Sequence, residues 1–204
     1  LMAGEVPTPQ ELKIAQRLDQ TPALLAALRD PLVLPAETGS TAAGLRKNLV
    51  QAQRLLGEAG WTYEGGALRN AAGEAFVVTM LIPDRSSEIV LAPYARNLAR
   101  LGIELRYRLS DASLIKKRLD DFDFDMAINI LGGSTSPGNE LYDDFGSASA
   151  DQKGSQNLSG IKDKVIDQLI EEIVNSPDRA AIAAGARLLD RYLRHQQFVV
   201  PMYY

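Results

Sequence analysis

The chain has 204 residues, 46% of them hydrophobic, with 22 basic and 26 acidic side chains and a net charge of −4, enough for one good-sized core or one core plus an appendage. The acidic balance, with a pI near 5.1, argues against nucleic acid as the main partner, and no apolar stretch approaches the length of a membrane span. The absence of cysteine excludes disulfides, thiolate catalysis and thiolate zinc sites, and fits an exported protein slightly better than a cytosolic one.

In chain order, "LMAGEVPTPQEL" lacks the basic start and apolar core of a signal peptide. Five of the ten prolines fall in the first 35 residues. There Thr8 reads as an N-cap, Pro9 as the first helical residue and Glu11 as the residue reaching back in a capping box. Short helices and connectors follow up to Pro35. Leu45, Leu49, Ala52, Leu56 and Ala59 recur at helical spacing, and Gly60 supplies a left-handed stop. Residues 61–74, with "EGG" and "NAAG", predict a turn or ragged hairpin.

Residues 75–83 predict a buried strand. A helix beginning at Ser86 or Ser87 carries Ile89, Val90, Tyr94, Leu98 and Leu101 to Gly102, with Pro93 set to kink it or delay its start. Residues 103–109 alternate like a strand with one wet face, and Ser110 or Asp111 caps a helix through Leu114, Ile115, Arg118 and Leu119. Residues 124–131 predict a third strand. Asp163–Val174 and Pro177–His195 are helices, the second behind a Ser176 cap, and "FVVPMY" (198–203) predicts a fourth strand. The sum, β-α-β-α-β-loop-α-α-β, is an α/β domain with a mainly parallel sheet. The chain stops inside that last apolar run, where domains seldom end; the expectation is a piece of a longer chain with its targeting signal removed.

The connection from Gly132 to Gly160 breaks this economy. It has about 29 residues and holds six of the sixteen glycines and six serines, where strand-to-helix loops have about two to six residues. Long loops at the carboxyl end of a parallel strand are where open α/β sheets place ligands; the alternative is a floppy insertion.

Most catalytic constellations fail on inspection. Asp121, Asp123 and Asp125 open like a calcium loop, but Met126 replaces the turn glycine and Gly132 the bidentate glutamate. Ser113-Leu-Ile-Lys116 matches S-x-x-K without the S-D-N or K-T-G that should follow, and reads better as a helix start with Lys116 in solvent. Gly132-Gly133 lacks the G-K-[ST] of a phosphate loop, and Ser134, Thr135 and Ser136 lack a G-x-S-x-G elbow. His195, the single histidine, suits a cation at a helix end. Glu140, Asp143 and Asp144 are either a solvated helix start or partners for a cationic ligand group. No catalytic residue, metal or cofactor is expected.

Six segments, in order, carry a resemblance: "LLGEAGW" (55–61), "YEGGALRNAAGEAF" (63–76), "NLARLGIELRYRLSD" (97–111), "FDFDMAINILGGSTSPGNE" (122–140), "GSQNLSGIKDKVIDQLIEEI" (154–173) and "LLDRYLRHQQFVVPMYY" (188–204). Together they resemble the C-terminal lobe of family 5 extracellular solute-binding proteins, the peptide and nickel class. The "SPGNE", "GSQN" and "LDR" signatures resemble the oligopeptide-binding branch that includes the periplasmic component for microcin C. The likeness runs from about Leu45, and "LMAGEVPTP" also resembles this branch ahead of its second lobe.

The resemblance implies a class II periplasmic binding protein-like lobe, an α/β unit whose mixed, mainly parallel sheet has flanking helices. Residues 1–40 would be a connecting helical, inter-lobe segment and 41–204 the C-terminal lobe, with the first lobe absent. It further implies a periplasmic protein, monomeric when whole, that closes two lobes on an oligopeptide or peptide-like compound and delivers it to an ABC transporter permease. Many such proteins hold the ligand's ammonium with an aspartate after the third strand, in a stretch carrying a tryptophan. Here Leu131 stands near the tryptophan place and Ser134 near the aspartate, so a blocked or modified peptide enters the range of ligands.

The residues suit a peptide. Ser134, Thr135, Ser136, Asn139 and Asn157 offer neutral partners for backbone amides, Gly133 lets main chain approach main chain, and Glu140 is the acidic candidate. Two rivals stay open: a hydrolase or transferase using Ser134 or Ser136, and a sensor or chaperone of the same fold that docks a membrane receptor.

Overall fold

In the computed structural model, residues 4–32, 42–130, 132 and 136–200 are described. The elements in chain order are helices α1 (Pro9–Ala15), α2 (Pro22–Arg29) and α3 (Ala42–Glu58), strands β1 (Thr62–Glu64), β2 (Ala67–Arg69) and β3 (Val77–Ile82), then α4 (Ser86–Arg100), β4 (Glu104–Leu109), α5 (Ala112–Asp120), β5 (Met126–Ala127), α6 (Glu140–Phe145), a 3-10 turn at Ser147–Ser149, α7 (Lys164–Val174) and α8 (Arg179–Gln196). They fall into two compact units, Ala36–Ile130 and Leu1–Pro35 with Leu131–Tyr204. Helices α1 and α2, expected in a connecting segment, pack on α8 in the second of these.

The unit Ala36–Ile130 is built on a three-stranded parallel sheet in the order β4-β3-β5. Val77 to Ile82 pair with Glu104 to Leu109 on one side, and Met80 and Leu81 with Met126 and Ala127 on the other. Helical crossovers α4 and α5 make this direction possible, since parallel neighbours cannot be joined by a tight turn. In β4 the alternation sorts the faces. Leu105 and Tyr107 pack with Met80, Ile82 and Leu91, while Glu104, Arg106 and Arg108 are exposed.

A second cluster gathers Leu68, Leu101 and Ile103 with Leu49, Ala52 and Leu56 of α3, and with Trp61 and Phe76, whose rings stack at 4.3 Å between centroids. The expected hairpin is present: β1 and β2 pair antiparallel around Gly65 and Gly66, both at positive φ. Gly102 has φ +81°, and a Cβ there would stand 2.6 Å from the Leu68 amide nitrogen and 2.7 Å from the Tyr63 ring, so only glycine fits. Helix α4 starts at Ser86 and runs through Pro93.

The third strand is much shorter than the expected 124–131. Only Met126 and Ala127 pair. Ahead of them the Asp125 carboxylate accepts the Thr79 N–H at 2.8 Å. Beyond them the partner strand runs into Pro83, which has no N–H to donate. Ile128 and Ile130 are consequently exposed, Ile130 at 84%, and Leu131 lies outside the described residues.

The unit Leu1–Pro35 with Leu131–Tyr204 is helical. Val165, Ile166, Leu169, Ile170 and Ile173 of α7 face Ala184, Leu188, Leu189 and Tyr192 of α8, joined by Ile14, Ala15 and Leu18 around α1, by Leu24 and Ala27 of α2 and by Leu141 of α6. Thr8 caps α1, its Oγ1 accepting the Glu11 N–H at 3.2 Å. The Glu11 side chain does not close the box on the backbone; its Oε1 accepts from the Thr8 hydroxyl at 3.1 Å and from Arg187 Nε at 3.0 Å, with Arg191 Nε donating to Oε2 at 3.4 Å. Glu11 and Arg191 are 0% and 1% exposed, an ionic pin between α1 and α8.

Asp163 caps α7 as a side-chain acceptor from Val165 and Ile166. The cap of α8 is Asp178, whose Oδ1 accepts from Ala180 and Ala181 at 2.9 Å each. Ser176, the expected cap, instead donates to the Glu172 carbonyl at 2.6 Å, because Pro177 separates it from the first turn. The expected fourth strand is absent at 198–200, and residues 201–204 lie outside the described residues.

Candidate functional site

The segment from Gly132 to Gly160 is not a featureless loop. It contains α6, the turn at Ser147–Ser149, and a buried polar cluster that ties it to α7. Leu141, 8% exposed, seats α6 in the apolar core, with Phe145 packed against the same cluster. At the end of α6, Gly146 passes so close to the preceding turn that a Cβ would stand 2.6 Å from the Tyr142 carbonyl oxygen.

Of the candidate ligand residues, Gly133, Ser134 and Thr135 lie outside the described residues. Ser136 is exposed. Asn139 occupies the N-cap position of α6, exposed and making no side-chain cap bond. Glu140 is exposed, and its Oε1 accepts the Gly138 N–H at 3.0 Å, which folds the start of the helix back on itself. Ser136, Asn139 and Glu140 thus share one short turn.

Asn157 is placed differently. It is 1% exposed, and its amide is engaged inside the protein. Nδ2 donates to the carbonyls of Gly146 and Ile161, both at 3.0 Å, and Oδ1 accepts the Ile161 N–H at 2.8 Å. Around it Ser149 Oγ donates to the Gly146 carbonyl and Ser155 Oγ to the Ser149 carbonyl, each at 2.8 Å. The Ser147 N–H donates to Asp167 at 2.8 Å, the Ser147 hydroxyl accepts the Asp163 N–H at 3.0 Å, and Tyr192 donates to Asp163 at 2.9 Å. Sequence reasoning counted Asn157 as a ligand donor and missed Gly146, Ser147, Ser149 and Ser155. The available signal was the density of small polar residues between two glycines, which marks a self-bonded turn as readily as a binding loop.

The acids divide as well. Glu140 stands in the first turn of α6, where negative charge suits the helix N-terminus. Asp144 lies near the other end, and burial first, then the charges of Asp143 and Glu140, raise its carboxyl above the ordinary value. The residues of the other constellations have structural partners. Asp123 pairs with Arg118 and Lys116 with Asp120, Asp111 caps α5 by accepting the Leu114 N–H at 3.0 Å, and His195 is exposed in the last turn of α8. Among the described residues no group of three His, Cys, Asp or Glu is placed to hold a metal ion.

Comparison of the fold defines the class first. The oligopeptide-binding protein AppA from Bacillus subtilis, solved in complex with a nonapeptide, superposes with a TM-score of 0.65 at 19% identity, covering 93% of this chain and 40% of its own. The periplasmic oligopeptide-binding protein of an oligopeptide ABC transporter from Thermotoga maritima, solved with mannohexaose bound, superposes with a TM-score of 0.61 at 17% identity, over 94% and 40%. The α/β fold is that of the periplasmic binding proteins.

Sequence comparison then fixes the family. The family model described as bacterial extracellular solute-binding proteins, family 5 Middle, matches residues 19–153, and the chain belongs to that family. The probable peptide-binding protein YejA of Agrobacterium fabrum is 38% identical over the whole of this chain and 33% of its own length. The chain spans about a third of the length of this curated relative.

Proposed function

We propose that the chain is one part of a substrate-binding component of an ABC importer, and that the whole protein captures oligopeptides or peptide-like compounds in the periplasm by closure of two lobes. It then hands them to a membrane permease. The observation that carries this reading is the 38% identity, over the entire chain, to a relative named as a probable peptide-binding protein.

The candidate segment supports it chemically. Ser134, Thr135, Ser136 and Asn139 supply neutral donors and acceptors for a peptide backbone, and Glu140 adds one carboxylate next to Asn139 in sequence. Such groups bind without reacting. The solitary histidine stands at the end of α8 and not in this segment. Ser134, in the place where many relatives keep an aspartate, favours ligands whose amino terminus is blocked or modified.

The test is an alanine series at Ser134, Ser136 and Asn139 in the full natural protein, with peptide binding followed by calorimetry and peptide integrity by mass spectrometry. The expected outcome is saturable binding that weakens along the series while the peptide stays intact. Turnover of the peptide that is abolished by Ser134→Ala or Ser136→Ala would establish a hydrolase instead.

A further inference from the structure

We propose that Asn157 is the positioning residue of the candidate binding turn, acting through Gly146 and α6 without touching the ligand. This rests on the reading of Ser136, Asn139 and Glu140 as ligand-contacting.

Helix α6 has only six residues, too few to hold a place by its own hydrogen bonds, so its position is set at its ends. At the apolar side Leu141 is sunk into the core of α7 and α8. At the carboxyl end Ser147 bonds Asp167 and the Asp163 N–H, and the Gly146 carbonyl accepts from Asn157 Nδ2 at 3.0 Å and from Ser149 Oγ at 2.8 Å. Of the two donors to that carbonyl, Asn157 also reaches across the turn, because its second amide hydrogen and its oxygen hold both polar groups of the Ile161 backbone. Ile161, 3% exposed, is itself part of the apolar core. The chain of restraint runs from the core through Ile161 and Asn157 to Gly146 and α6, and ends at Asn139 and Ser136.

Gly146 transmits this rigidly. Its close approach to the Tyr142 carbonyl, together with the N–H it donates to that carbonyl at 3.1 Å, leaves the joint between α6 and the turn no slack. A buried amide bonded at three points has one orientation, which makes it a fixed reference for a short surface helix.

Binding sites lose affinity steeply when their groups shift: a displacement of about 1 Å costs up to about a hundredfold. In the full natural protein, Asn157→Ala is expected to weaken the binding of a peptide that the unaltered protein binds by at least about tenfold. It should also speed hydrogen exchange at the amides of Leu141 and Tyr142. The control is Leu24→Ala, which empties a position 0% exposed on α2, an element outside this chain of restraint, and is destabilising in its own right. Measured well below its unfolding temperature, Leu24→Ala should leave affinity unchanged. If Asn157→Ala does not fold, Asn157→Ser, which keeps one donor, is measured in the cold and should lie between the two.

Equal affinity losses in the Asn157 and Leu24 variants, or an Asn157 variant that binds within about twofold of the unaltered protein, would overturn the proposal while leaving the peptide-binding reading intact. Failure of the unaltered protein to bind any peptide would overturn both.

Discussion

Glu11 and Arg191 are charged side chains withdrawn almost wholly from water, at 0% and 1% exposed. Desolvation makes such a pair a doubtful source of net stability, but removing one member leaves the other buried and uncompensated. Arg191 is the more vulnerable, because its Nη2 already lacks a partner among the described residues. Glu11→Ala is therefore expected to cost about 3–5 kcal/mol in urea unfolding; a loss below about 1 kcal/mol would mean water or a neighbour replaces the carboxylate. Tyr192 gives a pH signature. Burial, and then its hydrogen bond to Asp163, push its phenol up to about 12 from 10.0. The folded state thus holds the proton more tightly than the unfolded one, so this contribution is full below pH 10.0 and is lost as pH rises through about 12. Tyr192→Phe should flatten the alkaline fall in stability, and an unchanged alkaline slope would assign that fall to other groups.

At the scale of elements, helices were legible where a cap and an apolar stripe coincide. Thr8 caps α1 as expected and Asp111, one of two candidates with Ser110, caps α5, whereas Asp163, expected as the first residue of its helix, is the cap of α7; capping is settled within four residues of sequence. The α8 start was misplaced by two residues because Ser176 and Asp178 both suit the role and the proline between them decides. Asp178→Ala should cost about 1 kcal/mol of stability and Ser176→Ala less; the reverse order in thermal unfolding would return the cap to Ser176. Strands were legible only where partners are near. β3 and β4 matched their apolar patterns, but among the described residues of 124–131 only Met126 and Ala127 pair, with the Thr79 N–H taken by the Asp125 side chain before them and Pro83 offering no N–H after them. The candidate segment stood out by its length and composition, whereas the burial of Asn157 and its bonds to the backbone did not, because an amide reads the same in sequence whether it faces solvent or its own backbone.

At the scale of the molecule, the chain spans about a third of the length of its curated relative, and its fold is shared by proteins solved with a nonapeptide and with mannohexaose. Fold alone therefore leaves the role and the ligand to be argued from the site. The proposed peptide site, hydroxyls and amides with one carboxylate, would suit the regular donors and acceptors of a peptide backbone. The most direct measurement is native mass spectrometry of the full natural protein purified gently from its own cells. The account predicts adduct masses that fragment as peptides or peptide conjugates and that diminish in the Ser134→Ala variant. A resident oligosaccharide or metal chelate, unaffected by that substitution, would contradict it.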